Sequence, residues 1–93
     1  MLPDAIVLSN ATPNPSPGGV AFALDLPRRA RVEWSVHDLQ GRRLWSERSE
    51  QDAGRRVIRW NGLTEGREHL GAGVYTVRVK VEGERFVRRF VLL

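Results

Sequence analysis

Ninety-three residues make one domain, and a chain of that size withdraws only about 60–65% of its unfolded surface from water, so its core must be thin and closely patterned. The chain has no cysteine, which excludes disulfides and cysteine-ligated zinc, and no apolar run approaches the ~18 residues of a membrane-spanning helix. The net charge of +4 comes from 15 basic against 11 acidic residues, with arginine pairs at 28–29, 42–43, 55–56 and 88–89 spread along the chain rather than gathered as in a nucleic-acid binder.

In chain order, "AIVLS" (5–9) reads as a short apolar strand. "SNATPNPSPGG" (9–19) holds three of the five prolines, cannot pair in a central strand, and is expected to carry the chain from one sheet to the other. "VAFALDL" (20–26) alternates Val20, Phe22, Leu24 and Leu26 against Ala21, Ala23 and Asp25. "RVEWSVHD" (31–38) sets Val32, Trp34 and Val36 against Arg31, Glu33, Ser35 and His37. Period-two alternation with β-branched and aromatic residues is the mark of a half-buried strand. Asp38-Leu39-Gln40-Gly41 then reads as a tight turn with glycine at the left-handed position, leading into "RRLWSERS" (42–49). Asp52-Ala53-Gly54 turns into "RRVIRW" (55–60), and "VYTVRVKV" (74–81) sets Tyr75, Val77, Val79 and Val81 against Thr76, Arg78 and Lys80. Glu82-Gly83-Glu84 turns into "RFVRRFVLL" (85–93). About seven short strands at regular spacing predict an all-β antiparallel sandwich occupying residues 1–93 as a single domain.

The alternation places Phe22, Leu24, Trp34, Val36, Ile58, Trp60, Tyr75, Val77 and Val79 in one core between two sheets. In the last strand strict alternation buries Arg88 or Arg89, so a bulge at that pair is expected to turn both outward, with Val87, Phe90 and Leu92 facing the core and Phe86 outside. With the strands at 30–38, 73–81 and 85–93 side by side, Arg31, Arg78, Lys80 and one or both of Arg88 and Arg89 form a basic stripe relieved only by Glu33. That stripe is the candidate site for an acidic polymer or a partner's acidic patch, and solvated surface is the plainer reading.

Candidate chemistry is sparse. "GAGVYT" (71–76) lacks the third glycine of a dinucleotide fingerprint and precedes a strand, where the fingerprint must open a helix. Ser35 and His37 are same-face neighbours close enough to touch, but Asp38 points away and no oxyanion turn follows. His37 and His69 have no paired metal-ligand spacing. Asn61, Thr64, Glu65 and Glu68 offer oxygens for calcium, yet Arg67 sits between the glutamates. Lys80 lies among outward-facing residues, where a lysine–asparagine crosslink needs a buried one. No enzyme, metal or cofactor is expected.

"PNPSPGG" (13–19), "LP" (26–27), "VHDLQGRRL" (36–44), "AGRRVIRWNG" (53–62), "GAGVY" (71–75) and the basic-then-apolar "RRFVLL" (88–93), in that order, resemble the FlgD-type immunoglobulin-like domain, the C-terminal module of flagellar hook-capping proteins. His37 stands where that family often has tyrosine, and Asn61 where it often has aspartate. The resemblance implies an immunoglobulin-like or fibronectin-III-like sandwich, with Tyr75 pinning the crossover "WNGLTEGREHLGAG" (60–73) to its sheet and Leu70 tucked beneath it. It also implies a non-enzymatic module of a larger exported bacterial protein, extracellular or at the cell surface, with its export signal outside this sequence. The role expected is spacer, stalk or attachment domain. One alternative is a sorting domain like those read by the type IX secretion machinery, which also carry a "GxY" strand and a basic-apolar tail. The other is a subunit or cap of a surface filament. The partners implied are other domains of the parent protein, a surface or secretion-machinery protein, and a strand added at a sheet edge.

Overall fold

The computed structural model describes residues 2–93, which form seven strands. They are β1 (Val7–Leu8), β2 (Val20–Leu26), β3 (Ala30–His37), β4 (Arg43–Gln51), β5 (Gly54–Trp60), β6 (Gly73–Val81) and β7 (Glu84–Leu92). Every pairing between them is antiparallel. A three-stranded sheet, β1-β2-β5, faces a four-stranded sheet, β4-β3-β6-β7, and the fold is an immunoglobulin-like β-sandwich. All nine expected core residues are buried in one cluster, joined among others by Leu8, Val20, Leu26, Val32, Val81, Phe90 and Leu92.

Phe90 ties the two layers together. Its ring centroid lies 6.2 Å from Phe22 and 5.8 Å from Trp60 of the opposite sheet, both edge-to-face, and 6.1 Å from Tyr75 of its own sheet. Aromatic pairs in this range add about 0.5–1.5 kcal/mol each beyond the area they bury.

The turns follow their residues. Gly41 (φ 85°) closes the β3–β4 hairpin, where Asp38 accepts from the backbone N–H of Arg42 at 2.9 Å and from its side chain at 2.7 Å. Glu82 (φ 50°) and Gly83 (φ 83°) form the two-residue β6–β7 turn, both left-handed as such a hairpin requires. After β5, the Asn61 side chain accepts from Leu63 N–H at 3.1 Å and Gly62 takes φ 83°. The chain then crosses to the other sheet, with Leu70 packed on the core. Tyr75 Oη donates to the Gly71 carbonyl at 2.7 Å, the tyrosine-corner bond that holds this crossover.

Two expectations are corrected. The proline-rich segment does not change sheets: β1 and β2 are neighbours in one sheet, and 9–19 is the long return between them. Its far end does touch the other sheet, because Ser16 N–H donates to Val91 O and Leu93 N–H donates to Ser16 O, both at 2.8 Å. The second correction is β7, whose ladder with β6 runs unbroken from Glu84 to Leu92, without a bulge at Arg88-Arg89. Phe86 packs against the core and Val87 stands 56% exposed, the reverse of the expected arrangement.

Arg88 therefore shares the inward face with Phe86, Phe90 and Leu92, yet it is only half-buried. β7 is an edge strand, so an inward side chain there reaches the open flank of the sandwich rather than its middle. The guanidinium donates to the Leu8 carbonyl of the opposite sheet at 2.8 Å and to Val87 O at 2.8 Å. Its stem covers apolar surface while backbone carbonyls satisfy the head, so the burial cost that argued for a bulge never arises.

Candidate functional site: the outer face of the four-stranded sheet

Side chains that point away from the core on β4, β3, β6 and β7 form a pleated surface whose rows follow from the register. One row reads Arg48, Glu33, Lys80, Arg85 and the next Ser46, Ser35, Arg78, Val87. A third reads Arg43, His37, Thr76, Arg89. Rows lie about 7 Å apart along a strand and neighbours within a row about 5 Å apart. A shallow trough of about 980 Å³ overlies these rows.

The expected stripe is redrawn by this register. Arg78, Lys80 and Arg89 lie on the face and are exposed. Arg31 lies at its margin, 3.9 Å from Glu50. Arg88 points to the opposite side and leaves the stripe. Arg43, Arg48 and Arg85 join it; period-two alternation assigned their strands but not the cross-strand register that brings them to the same rows.

Of the arginines elsewhere, four have carboxylate partners, while Arg56, Arg59, Arg67 and Arg88 have none within 4.0 Å among the described residues. Arg28 pairs with Glu82, Arg29 with Asp52 and Glu50, Arg42 with Asp38 and Arg55 with Asp25. Among the described residues, none of Arg43, Arg48, Arg78, Lys80, Arg85 and Arg89 has a carboxylate within 4.0 Å. The Arg55 side-chain hydrogen bond holds the Asp25 carboxyl below its ordinary value of 3.8. Partial burial pushes Asp38 up, but hydrogen bonds from the Arg42 backbone and side chain outweigh it and the net shift is downward.

Ser35 and His37 do touch. Ser35 Oγ lies 2.8 Å from His37 Nε2, and His37 Nδ1 lies 3.4 Å from the Gly41 carbonyl, a contact in which the ring nitrogen is the donor. Ser35 nevertheless sits mid-way along β3, paired on both sides by β4 and β6, and not on the exposed turn that presents a nucleophile beside free backbone N–H groups. In the crossover, Glu65 N–H donates to Leu44 O and its carboxylate accepts from Ser46, both at 3.1 Å, so this loop fastens to the edge of β4. Among the described residues no three His, Cys, Asp or Glu side chains gather in a metal-binding cluster.

The sequence matches no protein-family model and no curated protein. Among solved structures, the entire chain superposes on 10% of dimeric latent PorU from Porphyromonas gingivalis, with a TM-score of 0.77 and 19% identity. The likeness is one of fold. A second match covers 97% of this chain and 12% of PorZ, with a TM-score of 0.62 and 22% identity. PorZ is described as an essential surface component of the type IX secretion system of the same bacterium. The chain spans about a tenth of the length of the solved proteins it resembles. Neither of these two is a hook-capping protein, the family that the motifs resemble.

Proposed function

We propose that this chain is a non-enzymatic immunoglobulin-like module of a larger exported bacterial protein, recognised as a folded unit by a type IX secretion apparatus. The observation that carries the reading is the size relation: a whole chain that matches about one tenth of two much larger proteins, one of them a surface component of that system. The basic-apolar strand β7 and the "GVY" start of β6 support it from the sequence side. Against catalysis stands the geometry of the Ser35–His37 pair, in which Ser35 lies mid-strand rather than on an exposed turn and the second ring nitrogen of His37 meets a backbone carbonyl rather than a carboxylate. The module works at the cell surface, and its partner is a protein of the export machinery.

The test is a reporter carrying a periplasmic export signal, with residues 1–93 fused to its C-terminus. Expressed in a host with a type IX system and in an isogenic strain lacking the translocon, the fusion should reach the surface only in the first. A reporter that stays in the periplasm of both strains would return the module to the role of spacer or stalk.

A further inference from the structure

We propose that the outer face of the four-stranded sheet binds an anionic polysaccharide, through carboxylate or sulfate groups on successive sugars. This stands apart from the secretion reading, since it rests on the chemistry of one face. The first observation is charge segregation. Away from the face, Arg28, Arg29, Arg42 and Arg55 have carboxylate partners and Arg56, Arg59, Arg67 and Arg88 do not, whereas all six cations on the three rows lack one within 4.0 Å among the described residues. The second is placement. Lys80 and Arg85 oppose one another directly across the β6–β7 ladder, an arrangement that costs stability through like-charge repulsion. A surface serving solubility alone would intersperse the signs instead.

The remaining residues of the face select among anionic partners. No Trp, Tyr or Phe stands on the three rows, so the stacking platforms that hold single-stranded nucleic acid are missing. Val87 is the only apolar side chain on them, too little for the buried aromatic or aliphatic anchors on which protein interfaces depend. What the rows do offer is hydroxyls, from Thr76 and from Ser46, whose proton goes to Glu65 and whose oxygen can still accept, set among guanidinium forks at strand spacing. Guanidinium pairs bidentately with carboxylate and sulfate, and hydroxyls exchange hydrogen bonds with sugar hydroxyls. An extended, hydrophilic polymer with repeating negative charge fits that surface and its shallow trough.

The test measures binding of the 93-residue chain to heparin and to polygalacturonate, with polyglutamate and an oligothymidylate of similar charge as competitors. Both polysaccharides should bind in low salt at least about tenfold more tightly than either competitor, and weaken steeply as salt rises. The double variant Arg78→Glu/Lys80→Glu should lose at least about tenfold in affinity, while Arg59→Glu/Arg67→Glu, which changes net charge equally elsewhere, should lose less than about threefold. Folding of each variant is checked by its melting curve. Should Arg78→Glu/Lys80→Glu not fold, Arg78→Gln/Lys80→Gln carries the same comparison against Arg59→Gln/Arg67→Gln. Equal losses in the two sets, or polyglutamate or DNA binding as tightly as the polysaccharides, would overturn the proposal.

Discussion

At the scale of single residues, polar side chains at the flanks of the sandwich add to the cohesion that the core supplies. Arg88 spans from β7 to the Leu8 carbonyl and so joins the two sheets where neither has another strand to offer. Arg88→Met keeps the stem and removes the donors, and should lower stability by about 1–2 kcal/mol in denaturant unfolding. Arg88→Lys, with one head group in place of the fork, should recover part of it. Asp25 and Asp38 carry a pH dependence. Both carboxyls are held below 3.8, so their contribution is present above that pH and is lost as pH falls through their folded values. The melting temperature should therefore be level near neutrality and fall below about pH 4. Asp25→Asn should lower the neutral plateau and flatten the acid limb. Arg88 is also where the sequence misleads. Alternation alone leaves either Arg88 or Arg89 inward without choosing between them, a one-dimensional pattern does not distinguish the middle of a core from its open flank, and the expected bulge rests on a burial that an edge strand does not impose.

At the scale of elements, "NPSPGG" (14–19) acts as a clamp on the free edge of β7. Asn14 Oδ1 accepts from Val91 N–H at 2.9 Å, and the Ser16 backbone donates to Val91 O and accepts from Leu93 N–H just beyond the strand. The buried Ser16 hydroxyl in turn donates to Gly19 O at 2.6 Å and accepts from Gly18 N–H at 3.0 Å, fixing the loop's own shape. A bare strand edge invites pairing with other chains, and this loop occupies the C-terminal part of that edge. Asn14→Ala/Ser16→Ala should cost about 2–3 kcal/mol and make the protein aggregate faster under mild agitation, as light scattering would show. Gly19 marks where the loop meets β5: a Cβ there would overlap the Trp60 carbonyl oxygen. Gly19→Ala should destabilise by about 1–3 kcal/mol, whereas Gly18→Ala, with open space around it, should cost less than about 1 kcal/mol. In the sequence this segment reads only as a loop, because its bonds go to a strand more than 70 residues away.

At the scale of the whole molecule, the strands, the core and the tyrosine corner were legible because each rests on local rules: alternation, turn residues and a hydroxyl close to its acceptor. The basic face was legible only in part. Arg78 and Lys80 follow from alternation, which leaves the choice between Arg88 and Arg89 open, while Arg43, Arg48 and Arg85 require the strand order and register. Trp34 and Trp60 face one another's sheets from β3 and β5, and truncating either to alanine should cost about 3–5 kcal/mol, a large share of what a domain of this size has.

That dependence on the intact sandwich bears on how a secretion apparatus would read this module. The decisive measurement is the surface-exposed fraction of the reporter fusion in a type IX host, normalised to total fusion protein, for the unaltered domain and for Trp60→Ala. Recognition of the folded sandwich predicts that surface delivery falls with the folded fraction of the variant, while Val57→Thr, an exposed change on the same strand, leaves delivery intact. Undiminished delivery of a Trp60→Ala domain shown to be unfolded would mean that the machinery reads a linear segment, and would contradict a folded recognition module.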